Sequence, residues 1–443
     1  MYQSRKTLPP AGLAMLPNLL ALVSALLLLP SLALAETKAH IAALAPSGLV
    51  LVLDEQGNEL VAQNADQPFV PASVTKIVTA WLAMEVLGGD YRFKTRFYLD
   101  DERVLFVRGG GDPFLISEEL ALLAAKLVAA VGMEPLTGIV LDTSYYPADL
   151  RIPGIEDSDE AYDARNSAFA VNFNTIHAER RGDTVRSAEE QTPITPVAIS
   201  HFLARGPSGR GRISLAREDP EVSVRYAGEL LTAFIERAGG KVGGELSIGS
   251  VPEGLEPIYI HQQSRTLSDI ISQMLLSSNN YVANQIFLEI GAHRLGGPVS
   301  LSKSLDVARE ILAKHDLVGA IHLEEGSGIS RENRFTARGF AKLLHHFAPH
   351  VDLLRTTSGG SRYKTGTFSG VRTLAGYANT STHGKIPFVI SLGGNTGETR
   401  FQVLRAIERG LWLENPARGF QAAETSNIPA FCLWGHTEPP SPR

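Results

Sequence analysis

The sequence predicts an α+β fold, and three observations carry that expectation. Short strand patterns follow one another directly over Arg362 to Phe368, Val371 to Ala378 and Ile386 to Leu392, joined by Gly- and Ser-containing turns, as in an antiparallel meander. Two further strands, Leu49 to Leu53 and Glu59 to Gln63, flank the turn residues Asp54 to Asn58 near the beginning. Long helical patterns lie between these groups, over Leu267 to Ile290 and Ser302 to Lys314.

In chain order, Arg5 and Lys6 precede an apolar run from Leu19 to Leu29 and the small-residue triplet Ala33-Leu34-Ala35, the pattern of a secretory signal peptide over residues 1–35. That run has 11 residues, against the ~20 that a helix needs to cross a bilayer. An uncleaved N-terminal anchor is the alternative reading. Loss of Arg5 and Lys6, with no acidic residue, takes the formal charge from −6 to −8. Such mild acidity argues against nucleic acid as a partner, which calls for a basic face. A hydrophobic content of 44% with 20% charged residues excludes wholesale disorder. Cys432 is the only cysteine, so no intramolecular disulfide, Cys-based zinc site or Cys-pair redox motif is possible. An exported chain without disulfides fits a bacterial periplasm.

After the first two strands, Pro68 and Pro71 bracket a loop. Val74, Ile77, Val78 and Trp81 then fall on one face of a helix that Gly88-Gly89 stops. From Tyr91 to Pro257 the pattern is broken. Helices are expected at Glu118 to Val131 and Arg225 to Ala238, between an acidic patch (Glu156 to Asp163), a polar stretch (Glu179 to Gln191) and a Gly/Arg-rich turn (Gly206 to Gly211). This reads as material inserted into a compact scaffold. The final helix, Glu398 to Leu413, places Phe401, Leu404, Ile407 and Leu411 on one side, and a tail follows from Asn415.

Three short motifs carry possible chemistry. Ser73-Val74-Thr75-Lys76 opens a helix, where the dipole favours an oxyanion, and its spacing puts Lys76 one turn along the same face. A desolvated lysine of lowered pKa can take the proton from a serine nucleophile. Alone, the motif reads more readily as an N-cap beside a solvated lysine than as an active site. In Ser278-Asn279-Asn280, Ser278 can relay a proton to a leaving amine and the Asn280 amide can orient a carbonyl or a lysine. A polar helix cap is the bland reading. In Lys364-Thr365-Gly366-Thr367, on a predicted strand, the lysine and hydroxyls can hold a carboxylate, and Gly366 allows close approach to the strand edge. The N–H groups of Ser73 and Thr367 can together form an oxyanion hole. A surface turn is the alternative.

Taken together, S-x-x-K, S-x-N and K-T-G in that order are the motif set of penicillin-recognising serine acyl-transfer enzymes. The sequence resembles the D-alanyl-D-alanine carboxypeptidase/endopeptidase type of low-molecular-mass (class C) penicillin-binding protein. Pro71-Ala72-Ser73, Leu87 to Phe93, Arg108 to Pro113, Val171-Asn172-Phe173-Asn174-Thr175, Gly326-Ser327-Gly328 with Ser330-Arg331, and Leu374 to Tyr377 carry the same likeness, from about Ala42 to about Leu413. The resemblance implies a transpeptidase-like domain, helices packed around an antiparallel sheet, split into 36–92 and 258–414. An inserted module over 93–257 then accounts for the 201 residues between Lys76 and Ser278, and 415–443 is a C-terminal tail. After Asn174 the insert is short for the family's nested innermost domain. Asn279 and Glu325 stand where the family more often has Asp; neither is a motif side chain.

The implied activity is hydrolysis of peptidoglycan stem peptides ending in D-Ala-D-Ala, with DD-endopeptidase cleavage of cross-links and covalent inhibition by β-lactams. Ser73, Lys76 and Ser278 would be catalytic; Asn280, Lys364, Thr365, Gly366 and Thr367 would bind substrate. No cofactor or metal is implied. Oligomeric state is not legible. A β-lactamase of the same class shares the motifs, but a dedicated carboxylate to activate water is not identifiable and the large insert favours the peptidase. A catalytically idle peptidoglycan- or penicillin-binding module would have no need of the intact nucleophile and base. No G-x-S-x-G or H-E-x-x-H occurs. His346 and His350, spaced to share a helix face with His345 adjacent, lack an obvious carboxylate partner for a metal.

Overall fold

The computed structural model describes residues 34–215, 220–380, 383–394 and 397–410. The expected signal segment up to residue 33, the tail from Asn415 and Cys432 lie outside the described residues. The chain is helical over 34–44 (α1) and then forms the hairpin β1 (Leu49–Leu53) and β2 (Glu59–Gln63). A 3-10 turn over Ala72–Val74 leads into α2 (Thr75–Val86).

The next stretch builds sheets of its own. It contains β3 (Lys94–Leu99), β4 (Val104–Arg108), α3 (Ser117–Val131), β5 (Gly138–Asp142), β6 (Thr175–Arg181), β7 (Thr184–Ser187), α4 (Pro196–Arg205), β8 (Gly209–Ser214), α5 (Pro220–Arg237), β9 (Leu246–Ile248) and β10 (Tyr259–Gln262). One sheet has the order β10-β3-β4-β5-β9, with β4, β5 and β9 parallel; the other is β7-β6-β8. Leu105, Val107, Ile139 and Leu141 pack with Leu120, Leu123 and Leu127 of α3 and Leu230, Leu231 and Phe234 of α5. β10 returns to this sheet beyond the expected limit at residue 257. The expected polar stretch and Gly/Arg-rich turn are strands instead. Along β6, Ile176 and Ala178 are buried while His177 and Glu179 are only part-buried, so charged outer positions mask a half-buried strand.

The chain then forms α6 (Leu267–Ser277), α7 (Asn280–Leu295), α8 (Leu301–Lys314), the short pair β11 (Ile321–His322) and β12 (Arg334–Phe335), and α9 (Ala337–Phe347). It ends with β13 (Arg355–Thr356), β14 (Arg362–Phe368), β15 (Val371–Thr380), β16 (Gly384–Gly393) and α10 (Glu398–Gly410). The main sheet has the order β13-β14-β15-β16-β1-β2, antiparallel throughout, and β1 closes onto β16 with Leu51 opposite Val389.

Both faces of that sheet are covered. Leu49, Leu51, Ala375 and Val389 meet the helical layer of Ile77, Val78, Trp81, Ile286, Phe340 and Leu344. Val50, Val52, Leu374 and Ile390 meet Val403, Leu404 and Ile407 of α10 and Ile41 of α1. The unbroken apolar run of β1 follows from this double burial. Every residue from Thr75 to Ala83 in α2 is buried, as is Tyr281 to Ala292 in α7. These are central helices that bury all sides rather than one stripe.

Two helical expectations are corrected. The pattern over Leu267 to Ile290 is two helices, because Ser278 adopts a left-handed conformation (φ 58°, ψ 32°) and the Asn279 side chain caps α7 by accepting from Val282 N–H at 3.0 Å. Apolar periodicity runs through such a break without registering it. His350 lies past the end of α9, in a separate 3-10 segment (Ala348–Leu353), so it shares no helix face with His346. His346 stacks on Trp81, with ring centroids 5.9 Å apart.

Candidate active site

Ser73 sits in the 3-10 turn that opens α2, and between residues 71 and 83 it alone is not buried. The preceding Ala72 is held at a positive φ of 50°, a conformation that costs a residue with a Cβ and persists where surroundings impose it. Here the surroundings are visible. Thr373 Oγ1 donates to Pro71 O at 2.8 Å, and a Cβ placed on Gly366 would stand 2.7 Å from Pro71 O and 3.0 Å from Ala72 Cβ. Strand β14 therefore lies against the Ser73 turn, a closeness that only glycine at 366 permits.

Lys76, one turn along α2, is completely buried. Its Nζ lies 3.2 Å from Ser73 Oγ and donates to Asn280 Oδ1 at 2.7 Å and to the Ser327 carbonyl at 2.7 Å. Burial pulls the amine down from its ordinary 10.5 to about 7, and the nearby Glu325 carboxylate opposes part of that fall. A neutral amine has two N–H groups and one lone pair. Asn280 and Ser327 take the two hydrogens, which leaves the lone pair for the Ser73 hydroxyl.

The second motif occupies the break between α6 and α7. The left-handed Ser278 brings its Oγ to 2.8 Å from Lys364 Nζ, which also donates to Thr365 O at 2.9 Å. Asn280, the first residue of α7, faces Lys76 through its oxygen and donates through Nδ2 to Tyr162 O at 3.3 Å. Burial, reinforced by the charges of Lys76, Arg355 and Arg400, holds Lys364 well below the usual lysine range. On β14, β13 pairs only with Arg362 and Tyr363, so residues 364–368 present an open edge beside Ser73. Gly366 is buried at that edge, Thr365 is half-buried and Thr367 is exposed. The Thr367 hydroxyl accepts from Arg400 Nη1 at 3.2 Å.

All eight residues singled out from the sequence thus meet in one place: Ser73, Lys76, Ser278, Asn280, Lys364, Thr365, Gly366 and Thr367. Three contributors escaped that reading. Ser327 supplies a main-chain carbonyl, which no side-chain pattern reveals. Glu325, fully buried, accepts from Asn284 Nδ2, the N–H and hydroxyl of Ser327, the N–H groups of Gly328 and Ser330, and Asn333 Nδ2. It thereby holds the loop that carries Ser327. Arg400 reaches β14 from α10. The Gly-Ser-Gly at 326–328 was the available signal for the loop, since Gly328 (φ 81°) packs on Ala72 O where a Cβ would clash.

The model of the D-Ala-D-Ala carboxypeptidase 3 (S13) family matches residues 33–200 and 210–359. The chain belongs to that family. It is accordingly a serine-type peptide hydrolase with the fold of the penicillin-binding serine peptidases. The match ends before Lys364, so the third motif rests on its place in the fold, 2.8 Å from Ser278. Among curated relatives, a D-alanyl-D-alanine carboxypeptidase of Actinomadura sp. is 27% identical, covering 82% of this chain and 80% of its own length. D-alanyl-D-alanine carboxypeptidase DacB of Haemophilus influenzae is 24% identical, covering 81% and 88%. Among solved structures, penicillin binding protein 4 (dacB) of Haemophilus influenzae superposes with a TM-score of 0.69 at 19% identity, covering 85% of this chain and 99% of that one. Among the described residues no helix is long and apolar enough to cross a membrane.

Proposed function

We propose that this S13-family enzyme is a D-Ala-D-Ala carboxypeptidase and DD-endopeptidase that acts on peptidoglycan stem peptides in the periplasm through an acyl-enzyme on Ser73. The observation that carries the reading is the buried Lys76 amine, about 7 in pKa and 3.2 Å from Ser73 Oγ. At neutral pH a large fraction of it is unprotonated, which is what a general base requires. Ser73 Oγ attacks the penultimate D-Ala carbonyl as Lys76 takes its proton. The tetrahedral oxyanion rests on the N–H groups of Ser73 and Thr367. The C–N bond breaks as Ser278 passes a proton to the departing D-Ala amine, and water then hydrolyses the ester. Lys364, with the hydroxyls of Thr365 and Thr367, holds the terminal carboxylate. The open edge of β14, residues 364–368, lets an extended peptide lie alongside it. The self-contained sheet of β3, β4, β5, β9 and β10 supports reading the stretch between the first and second motifs as an inserted module. β-Lactams would acylate Ser73 by the same route.

The test is incubation with a labelled penicillin followed by mass mapping, paired with hydrolysis of a D-Ala-D-Ala pentapeptide. A lasting adduct on Ser73, absent in Ser73→Ala, together with release of D-Ala, is the expected result. Rapid penicillin turnover with no lasting adduct makes the protein a β-lactamase. An intact pentapeptide in the presence of protein that still binds peptidoglycan makes it an idle module.

A further inference from the structure

The guanidinium of Arg400 stands where neither the motifs nor the proposed mechanism give it a task. Arg400 lies in the first turn of α10, among residues that otherwise pack on the outer face of the main sheet. Its Nη1 donates to Gly366 O at 2.7 Å, to Thr367 Oγ1 at 3.2 Å and to Thr373 O at 3.2 Å. Its Nε is buried without a hydrogen-bond partner. Among the described residues it forms no ion pair, and neither does Lys364. Burial, and then the charge of Arg372, draw the Arg400 guanidinium down to about 10.

A buried guanidinium without a carboxylate partner is costly unless something negative joins it. Arg372 lies directly opposite Thr367 across the β14–β15 ladder. Its guanidinium donates to the Phe368 and Val371 carbonyls, whereas Arg400 holds the Gly366–Thr367 unit. Two constraints act on that unit. The peptide is planar and trans, so a carbonyl fixed on one side aims the following N–H to the opposite side. By holding Gly366 O, Arg400 aims Thr367 N–H away from itself. The Thr367 hydroxyl accepts one hydrogen bond from Arg400, which leaves its own O–H to donate elsewhere.

We propose that Arg400 is the positioning residue for recognition of the substrate's C-terminal carboxylate: it sets the Thr367 hydroxyl as a donor and supplies charge behind it. This rests on the D-Ala-D-Ala reading above and deepens it. The selected ligand chemistry is a free carboxylate on the residue that leaves, in preference to an amide at that position.

The test compares a diacylated tripeptide ending in D-Ala-D-Ala with its C-terminal carboxamide, in the full-length protein and in Arg400→Met and Arg400→Lys. Wild-type enzyme should prefer the free acid. Arg400→Met should cut the acid-to-amide ratio of kcat/KM by about tenfold or more, chiefly through KM for the acid. Arg400→Lys keeps a charge but not the planar fork, and should reduce the ratio severalfold. If the methionine variant is insoluble, the lysine variant decides alone. A ratio unchanged from wild type, even with both rates lowered in parallel, makes Arg400 merely structural and overturns the proposal. Failure of the wild-type protein to release D-Ala from the acid would instead overturn the underlying function, so the two failures are distinguishable.

Discussion

The Lys76 amine donates to the Asn280 side-chain carbonyl at 2.7 Å, joining residues 204 positions apart. A neutral acceptor there orients the lysine without stabilising its charged form as a carboxylate would. Asn280→Asp should reverse that. The new carboxylate would favour the ammonium and raise the Lys76 pKa above about 7. The rate needs the neutral amine, so the acid limb of kcat/KM should move to higher pH by about a unit or more. Activity at pH 7 should fall by roughly tenfold and recover toward pH 9. Asn280→Ala, which removes the acceptor without adding charge, should lose activity at both pH values. A pH–rate profile on a D-Ala-D-Ala peptide separates the two.

Lys76→Arg tests the base itself. Arginine stays protonated throughout the accessible range, and its fork does not fit a pocket built for one amine between Ser73, Asn280 and Ser327. Acylation of Ser73 by a labelled penicillin should slow by about 10²–10⁴ at every pH, the usual contribution of a positioned base. A wild-type-like rate at pH 9 would show that Lys76 is not the proton acceptor.

The motifs and the meander were legible because they are local: a helix turn, a tripeptide, and short strands that follow one another directly. The sheet of β3, β4, β5, β9 and β10 was not. Its parallel strands are three to five residues long and are separated by helices, so pairing is settled by partners far away in sequence. The left-handed turn at Ser278 was invisible for a different reason. An apolar period continues across it while the Asn279 cap stops one helix and starts the next. Glu325 and Arg400 belong to a third class. Each is a single charged residue whose meaning comes from groups that the tertiary fold delivers, Asn284 and Lys76 for one, Gly366 and Thr367 for the other.

Glu325→Gln should damage both fold and proton transfer. The carboxylate oxygens accept six hydrogen bonds from residues 284, 327, 328, 330 and 333. An amide nitrogen in place of one oxygen would face donors and leave them unpartnered, at a cost of about 1–3 kcal/mol each. A fall in Tm is expected. The Glu325 charge also opposes the depression of Lys76, so its loss should lower the Lys76 pKa and move the acid limb to lower pH. A lowered Tm with an unmoved acid limb would confine Glu325 to holding the loop. Glu325→Asp, which keeps the carboxylate charge, should keep the limb near wild type.

Gly366→Ala asks whether the closeness of β14 to the nucleophile matters. A Cβ at 366 would sit 2.2 Å from Thr373 Oγ1 and 2.7 Å from Pro71 O, and the latter is main chain that cannot rotate away. The strand and the Ser73 turn must therefore separate, also straining the Thr373–Pro71 hydrogen bond that joins them. Overpacking of this kind costs about 1–3 kcal/mol. The larger effect should be on chemistry, because the two proposed oxyanion donors, Ser73 and Thr367, lie on the two elements being pushed apart. Loss of one such donor costs about 10²–10³ in kcat. The expected variant is folded, modestly less stable, and slow to acylate with both penicillin and peptide, with KM changed much less than kcat. Acylation at the wild-type rate in a folded Gly366→Ala protein would place the oxyanion elsewhere.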